Sequence, residues 1–230
     1  MTNRRQALLS TASLACFALC LGLMTLPATL SVAATPATKA APLNEAQEDV
    51  KAAEMYLNNM RTLKARFVQT DNGGHQLAGD FLLKRPGRMR FEYDAPVTDF
   101  IVADGTFVHY YDGQMQQQSS APISKTLANF FLQPDISLTK DLRVDEIRRE
   151  NDDTLLILTL SQAKDPLSGN LSLVFDRDTK TGALQLNRWR IVDPQGLITE
   201  VALSDVAAGI KLSNDQFHYY DPKRGRPKYN

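Results

Sequence analysis

Cysteine is nearly absent from this 230-residue chain: Cys16 and Cys20 are the two it has, both within the first twenty positions. Beyond them no disulfide, thiolate nucleophile or thiolate metal site can form, so stability must come from packing. Long apolar runs are equally scarce. One extends from Ala12 to Leu26, preceded by Arg4 and Arg5 and followed by the small residues SVAA at 31–34. That order predicts a signal peptide over 1–34, cleaved near Ala34, and the run is short for a membrane span. The NRRQALL start touches on a twin-arginine signal, but paired arginines suit any positively charged leader and the general secretory route is the simpler reading. A charge of one sign is missing too. Lysine plus arginine and aspartate plus glutamate number 26 each, and loss of Arg4 and Arg5 leaves 24 against 26. With no basic stripe, a nucleic-acid partner is excluded.

Catalytic and metal signatures are missing as well. His75, His109 and His218 are the three histidines, and none has a second histidine at ligand spacing, so neither a metal nor any other cofactor is expected. There is no Gly-x-Ser-x-Gly elbow. The Asp176 to Gly182 stretch lacks the later acidic ligands of a calcium loop and lies where a hairpin turn is needed. His109, beside Tyr110 and Tyr111, reads as a residue filling space on a strand face. No enzyme is expected.

What is present is patterning. Residues 35–42 (TPATKAAP) read as a flexible lead-in. Asn44 with Gln47 resembles a capping box, and Val50, Ala53, Leu57 and Met60 share a helical face, predicting an N-terminal helix. The period then changes to two. Leu63, Ala65 and Phe67 alternate with polar positions; an NGG turn at 72–74 leads to Leu77, Gly79, Phe81 and Leu83 on one face; and Pro86-Gly87 reverses the chain into Met89, Phe91 and Tyr93. DFIVA and TFVHYY follow, separated by Asp104-Gly105. Ser124 is placed to cap a short helix carrying Leu127, Phe130 and Phe131, closed by Pro134, and 135–142 is expected to hold another turn or two of helix. Five further alternating runs follow, from LRVDEIRRE to LITEVALSDV.

The fold class is therefore mainly β (α+β): a single domain over 43–230, an antiparallel meander of about ten strands with an N-terminal helix and short lid helices. A sheet of that size must curl, which makes a half-barrel with helices in its mouth the natural form. Met55, Met60, Met89 and Met115, with the phenylalanines, leucines and tyrosines, serve as core or line a cavity.

LKARFVQT after the helix, GDFLLKRPGRMRFEYDAP, FIVADGTFVHYYD and GNLSLVFDRDTKTGALQLNRWRIVDPQG resemble the LolA family of periplasmic outer-membrane lipoprotein carriers, in order along nearly the whole mature chain. That resemblance implies an unclosed β-barrel whose hollow apolar interior takes lipoprotein acyl chains. The carrier would be a periplasmic monomer loaded by an inner-membrane lipoprotein-releasing ABC transporter, handing its cargo to an outer-membrane receptor. Arg85, in the KRP turn, would hold the lid closed. Phe67, Phe81, Leu83, Met89, Phe91 and Tyr93 would line the interior, with Leu127, Phe130 and Phe131 on the lid. Lys84, Arg88 and Arg90 would stay at the surface, available for partner docking. The ending FHYYDPKRGRPKYN departs from the family, whose members continue into a closing segment. A sensing regulator of the same fold is the alternative, and a lipid-active hydrolase a third class.

Overall fold

The computed structural model describes residues 43–126, 128–140, 142–163 and 169–223. The expected leader, the lead-in and Leu127 fall outside these residues. Helix α1 spans Leu43–Asn59. Its apolar face is as patterned: Val50, Ala53 and Leu57 are buried, as is Met60 just past its end. Because the helix already runs at Leu43, Asn44 lies in its first turn and not at the cap expected for it.

Five strands follow in the expected order: β1 (Thr62–Thr70), β2 (Gln76–Lys84), β3 (Arg88–Tyr93), β4 (Phe100–Asp104) and β5 (Phe107–Asp112). A sixth, β6 (Gln117–Pro122), was not foreseen, since QQSSAP carries no apolar alternation. It is a strand because it pairs with β5 from Phe107↔Pro122 to Asp112↔Gln117. After it come a 3-10 turn, Ile123–Lys125, and the four-residue helix α2, Asn129–Leu132. Ser124 lies inside the 3-10 turn, so it does not cap α2, which begins after Ala128 without a side-chain cap. The further helix expected at 135–142 is replaced, among its described residues, by bends and a turn. Pro134 cannot continue a helix, and Ile136 and Leu138 are instead buried individually from an irregular strap.

The five later runs are β7 (Leu142–Glu150), β8 (Leu155–Gln162), β9 (Asn170–Arg177), β10 (Leu184–Val192) and β11 (Ile198–Ala208). All eleven strands form one antiparallel sheet in the order β6-β5-β4-β3-β2-β1-β11-β10-β9-β8-β7. Two meanders are thus joined at their first and last strands, by β1 pairing with β11 from Leu63↔Ala208 to Thr70↔Glu200. The two free edges, β6 and β7, are consecutive in the chain. The segment between them, which carries α2, therefore links one open edge to the other.

Strand alternation sorts the side chains. Leu63, Ala65, Phe67, Phe81, Leu83, Met89, Phe91, Leu158, Leu173, Phe175, Leu186 and Trp189 form one core with α1 and α2. Leu82 points the opposite way, toward a smaller cluster of Phe100, Val102, Tyr111, Leu212 and Phe217. There a C-terminal 3-10 turn, Asn214–Phe217, is capped by Ser213 and packs through Phe217 on the outer side of β3 and β4.

Candidate functional site

The turn between β2 and β3 places Arg85 where three elements meet. Gly87 has a positive φ of 81°, and a Cβ there would come within 3.0 Å of the Gly105 Cα, so the tight turn needs glycine. The Arg85 side chain is turned inward, with the residue 6% exposed. Its Nη1 donates to the Leu57 carbonyl. Leu57 lies in the last turn of α1, where carbonyls lack intrahelical partners and the helix end favours a cation. On the other side Nη2 donates to the carbonyls of Gln133 (2.9 Å) and Pro134 (3.2 Å), and Nε to Gln133 (3.3 Å). Arg61 Nη1 shares the Pro134 carbonyl at 3.2 Å. Beside this, the Gly87 N–H donates to the Leu132 carbonyl at 2.8 Å. Burial, and next the charge of Arg61, push the Arg85 pKa below its ordinary value, offset in part by Asp135. The closed arrangement thus keeps a cation in an environment that disfavours its charge, held chiefly by carbonyl dipoles.

The other three cations of the turn have separate surroundings. Lys84 Nζ donates to the Leu212 carbonyl and Asn214 Oδ1, both at 2.7 Å, tying the C-terminal segment to the sheet. Arg90 bonds Glu92 at 2.7 Å and lies 5.1 Å from the centre of the Phe100 ring. Arg88 is half-buried at the start of β3. Lys84 and Arg90, expected at the surface, are both half-buried and bonded within the chain.

Below Arg85 the concave face is aromatic. Phe81 and Phe91 pack tilted, at 36°, with ring centres 4.6 Å apart, Phe67 meets Phe91 edge-on at 5.0 Å, and Tyr93 meets Phe67 at 5.2 Å. Phe67 lies over Gly79, where a Cβ would be 2.7 Å from its Cε1 and 2.1 Å from the Glu92 carbonyl oxygen. Across the curl, Trp189 of β10 comes within 5.7 Å of Phe81. Phe131 of α2 enters from the open side, 5.1 Å from Trp189, while half-buried Phe130 packs on Phe131 at 4.9 Å. Leu83 and Met89 are buried in the same core.

Every described candidate from the sequence except Arg85 therefore lies on or against one apolar face, and Arg85 sits at its rim. The hollow expected there is filled by these side chains. Two clefts, of about 350 and 420 Å3, lie elsewhere: one between α1 and the β9–β10 turn, the other beside Tyr93, Phe100 and Tyr220.

Several participants were not named from sequence. Trp189 was overlooked because a register shift between Leu186 and Arg188 breaks the alternation of β10. Apart from Asn58 Oδ1, at 3.5 Å, the Arg85 acceptors are backbone carbonyls, which leave no sequence trace. Asn58 and Glu54, which bind the strap after α2, sit among ordinary polar helix positions. His109, expected to fill space, instead bridges Ser120 Oγ (2.8 Å) and Asp104 Oδ2 (3.0 Å). Asp178 accepts the backbone N–H groups of Lys180 and Thr181, the hairpin turn foreseen there. Among the described residues no cluster of three or more histidine, cysteine or acidic side chains is placed to hold a metal. Nor is any described helix long and apolar enough to cross a membrane.

An unclosed antiparallel sheet with a helix-covered apolar concavity and a buried arginine at its rim defines the structural class. Within that class the chain belongs to the LolA family, described as outer membrane lipoprotein carrier protein, whose model matches residues 58–220. This is a family of carriers, not enzymes. Outer-membrane lipoprotein carrier proteins of Legionella pneumophila and Azotobacter vinelandii are 28% and 29% identical to it. The first match covers 77% of this chain and 88% of the relative, the second 79% and 89%. A LolA superfamily protein of Nitrosomonas europaea of known structure aligns with a TM-score of 0.44 and 14% identity, over 76% of this chain and 97% of that one.

Proposed function

We propose that the protein is a periplasmic carrier that takes lipoprotein acyl chains against the aromatic face now covered by Phe131 and moves lipoproteins from the inner to the outer membrane. On this reading an inner-membrane lipoprotein-releasing ABC transporter loads it and an outer-membrane receptor unloads it. The observation that carries the proposal is the meeting of a lid residue, Phe131, with Trp189, which itself touches Phe81 and Phe91 from the other half of the sheet, beneath an arginine bonded to the carbonyls that follow the lid helix.

Magnitudes make the exchange workable. A buried methylene is worth about 0.8 kcal/mol, so a sixteen-carbon chain carries on the order of 12 kcal/mol of aversion to water. Displacing Phe131 forfeits about 1.5–3 kcal/mol of burial. Each charged hydrogen bond of Arg85 adds roughly 1.5–3 kcal/mol to closure. Cargo therefore opens the lid, while the recovered latch and the reburied ring lower the cost of release.

The test is release of lipoprotein from spheroplasts into the medium. The purified protein is expected to recover lipoprotein in a soluble complex and to transfer it to outer-membrane vesicles. Lipoprotein left on the spheroplasts would contradict the proposal.

A further inference from the structure

The strap after α2 is bound to α1 by more than Arg85, whose Nη2 lies 3.5 Å from Asn58 Oδ1. The Asn58 side-chain amide pairs with Ile136 in both directions, Nδ2 donating to its carbonyl and Oδ1 accepting its N–H, each at 2.8 Å. One turn earlier, Glu54 Oε2 accepts the Leu138 N–H at 2.9 Å. Ile136 and Leu138 are 2% and 0% exposed, so the strap is also fastened by its apolar side chains. Helix α1 is itself fixed at its other end. Arg149 of β7 bonds both Asp49 oxygens at 2.8 and 2.9 Å and reaches Glu45 at 2.9 Å.

The four-residue α2 is held differently. No side chain caps its N-terminus, and its polar ties to the sheet's turn are the Gly87 N–H on the Leu132 carbonyl and the Arg85 bonds to the two carbonyls that follow it. Between the moored Ile136 and α2, whose Phe131 and Leu132 are 8% and 2% exposed, lie Gln133, Pro134 and Asp135. Proline removes a backbone donor there, and an extended Gln133, with ψ 149°, ends the helix.

We infer that Asn58 and Glu54 are positioning residues for cargo binding: they keep the strap on α1, so that α2 alone lifts away, turning at Gln133 and Pro134. The inference rests on the carrier reading and deepens it. Helix α1 and the strap form the fixed wall of the site, and Phe131 is the part that yields. Cargo then enters between α2 and the sheet, beside Trp189, and not between α1 and the sheet.

Residue-resolved amide hydrogen exchange on the full exported chain tests this. In Arg85→Leu, the amides of Phe131, Leu132 and Gln133 are expected to exchange about five- to tenfold faster, the scale of losing one hydrogen bond or slightly more, while Ile136 and Leu138 keep their rates. Asn58→Ala and Glu54→Ala should accelerate Ile136 and Leu138 respectively. Glu54→Gln, which keeps an oxygen acceptor, should not accelerate Leu138. Phe131→Ala provides the same comparison if Arg85→Leu does not fold. Equal acceleration of the strap and α2 would overturn the inference, since the strap would then travel with the helix. Lipoprotein retention by the same samples is read separately: an anchored strap in a protein that holds no lipoprotein would sink the carrier reading and leave the anchor standing.

Discussion

Phe131 of α2 and Trp189 of β10 stand 5.1 Å apart, ring centre to ring centre, although one belongs to the segment between the sheet's free edges and the other to its interior. Trp189 is also the chain's sole tryptophan. Its fluorescence therefore reports directly on whether Phe131 is in place.

Replacing Phe131 by alanine removes that ring and opens space beside Phe130 and Trp189. Truncation of a buried phenylalanine costs about 3–5 kcal/mol when its surroundings cannot collapse. The short α2 can adjust, so the expected loss lies near the lower end, with a shifted Trp189 emission maximum. Denaturant unfolding followed by fluorescence measures both, and an unchanged spectrum would contradict the observed packing.

Arg85→Leu should leave lipoprotein uptake intact and slow its hand-over, because the closed form loses the bonds that compete with cargo. Carbonyls of Leu57, Gln133 and Pro134 lose a donor, and stability should drop by about 1–3 kcal/mol. Transfer kinetics from purified complexes to outer-membrane vesicles check the first expectation. Normal hand-over would remove Arg85 from the mechanism.

Gly79→Ala would press a methyl into the Glu92 carbonyl and the Phe67 ring. Overpacking of this kind costs typically about 1–3 kcal/mol. A lower urea midpoint with an unchanged slope is the expected result.

Arg149→Ala leaves Asp49, 4% exposed, without its partner. Removing one member of a buried pair costs about 3–5 kcal/mol, discounted here because Arg149 keeps some access to water. The expected effect is a lowered Tm with lost amide protection in the first half of α1.

Burial, followed by the charge of Asp99, pushes the Tyr93 phenol up to about 12 from its ordinary 10.0, against the opposing hydrogen bond to Gln69. The folded state therefore retains a proton that the unfolded state releases. Its contribution is intact below pH 10.0 and falls as pH rises through about 12. Tyr93→Phe should flatten the alkaline decline in stability over that window, and stability curves at pH 9 to 12 would show it.

Much of this was legible in the sequence because apolar spacing carries it. The α1 face, ten of the strands and the inward positions Phe67, Phe81, Leu83, Met89 and Phe91 all follow from periods of 3.6 and two. Strand β6 did not, because an edge strand with polar side chains is defined by its backbone pairing with β5. Helix is expected at 135–142, yet Ile136 and Leu138 there are fixed by Asn58 and Glu54, some eighty positions earlier. Arg85 was singled out through family resemblance, and local sequence alone would have left it on a solvated turn. Its carbonyl partners come from two segments that meet only once the sheet has curled.

The most direct test is quenching of Trp189 by a lipoprotein whose acyl chains carry bromine or a nitroxide. Strong quenching in the soluble complex, relieved on transfer to outer-membrane vesicles, is the predicted result. A complex that keeps the lipoprotein soluble while Trp189 stays fully emissive would place the acyl chains elsewhere and contradict the account.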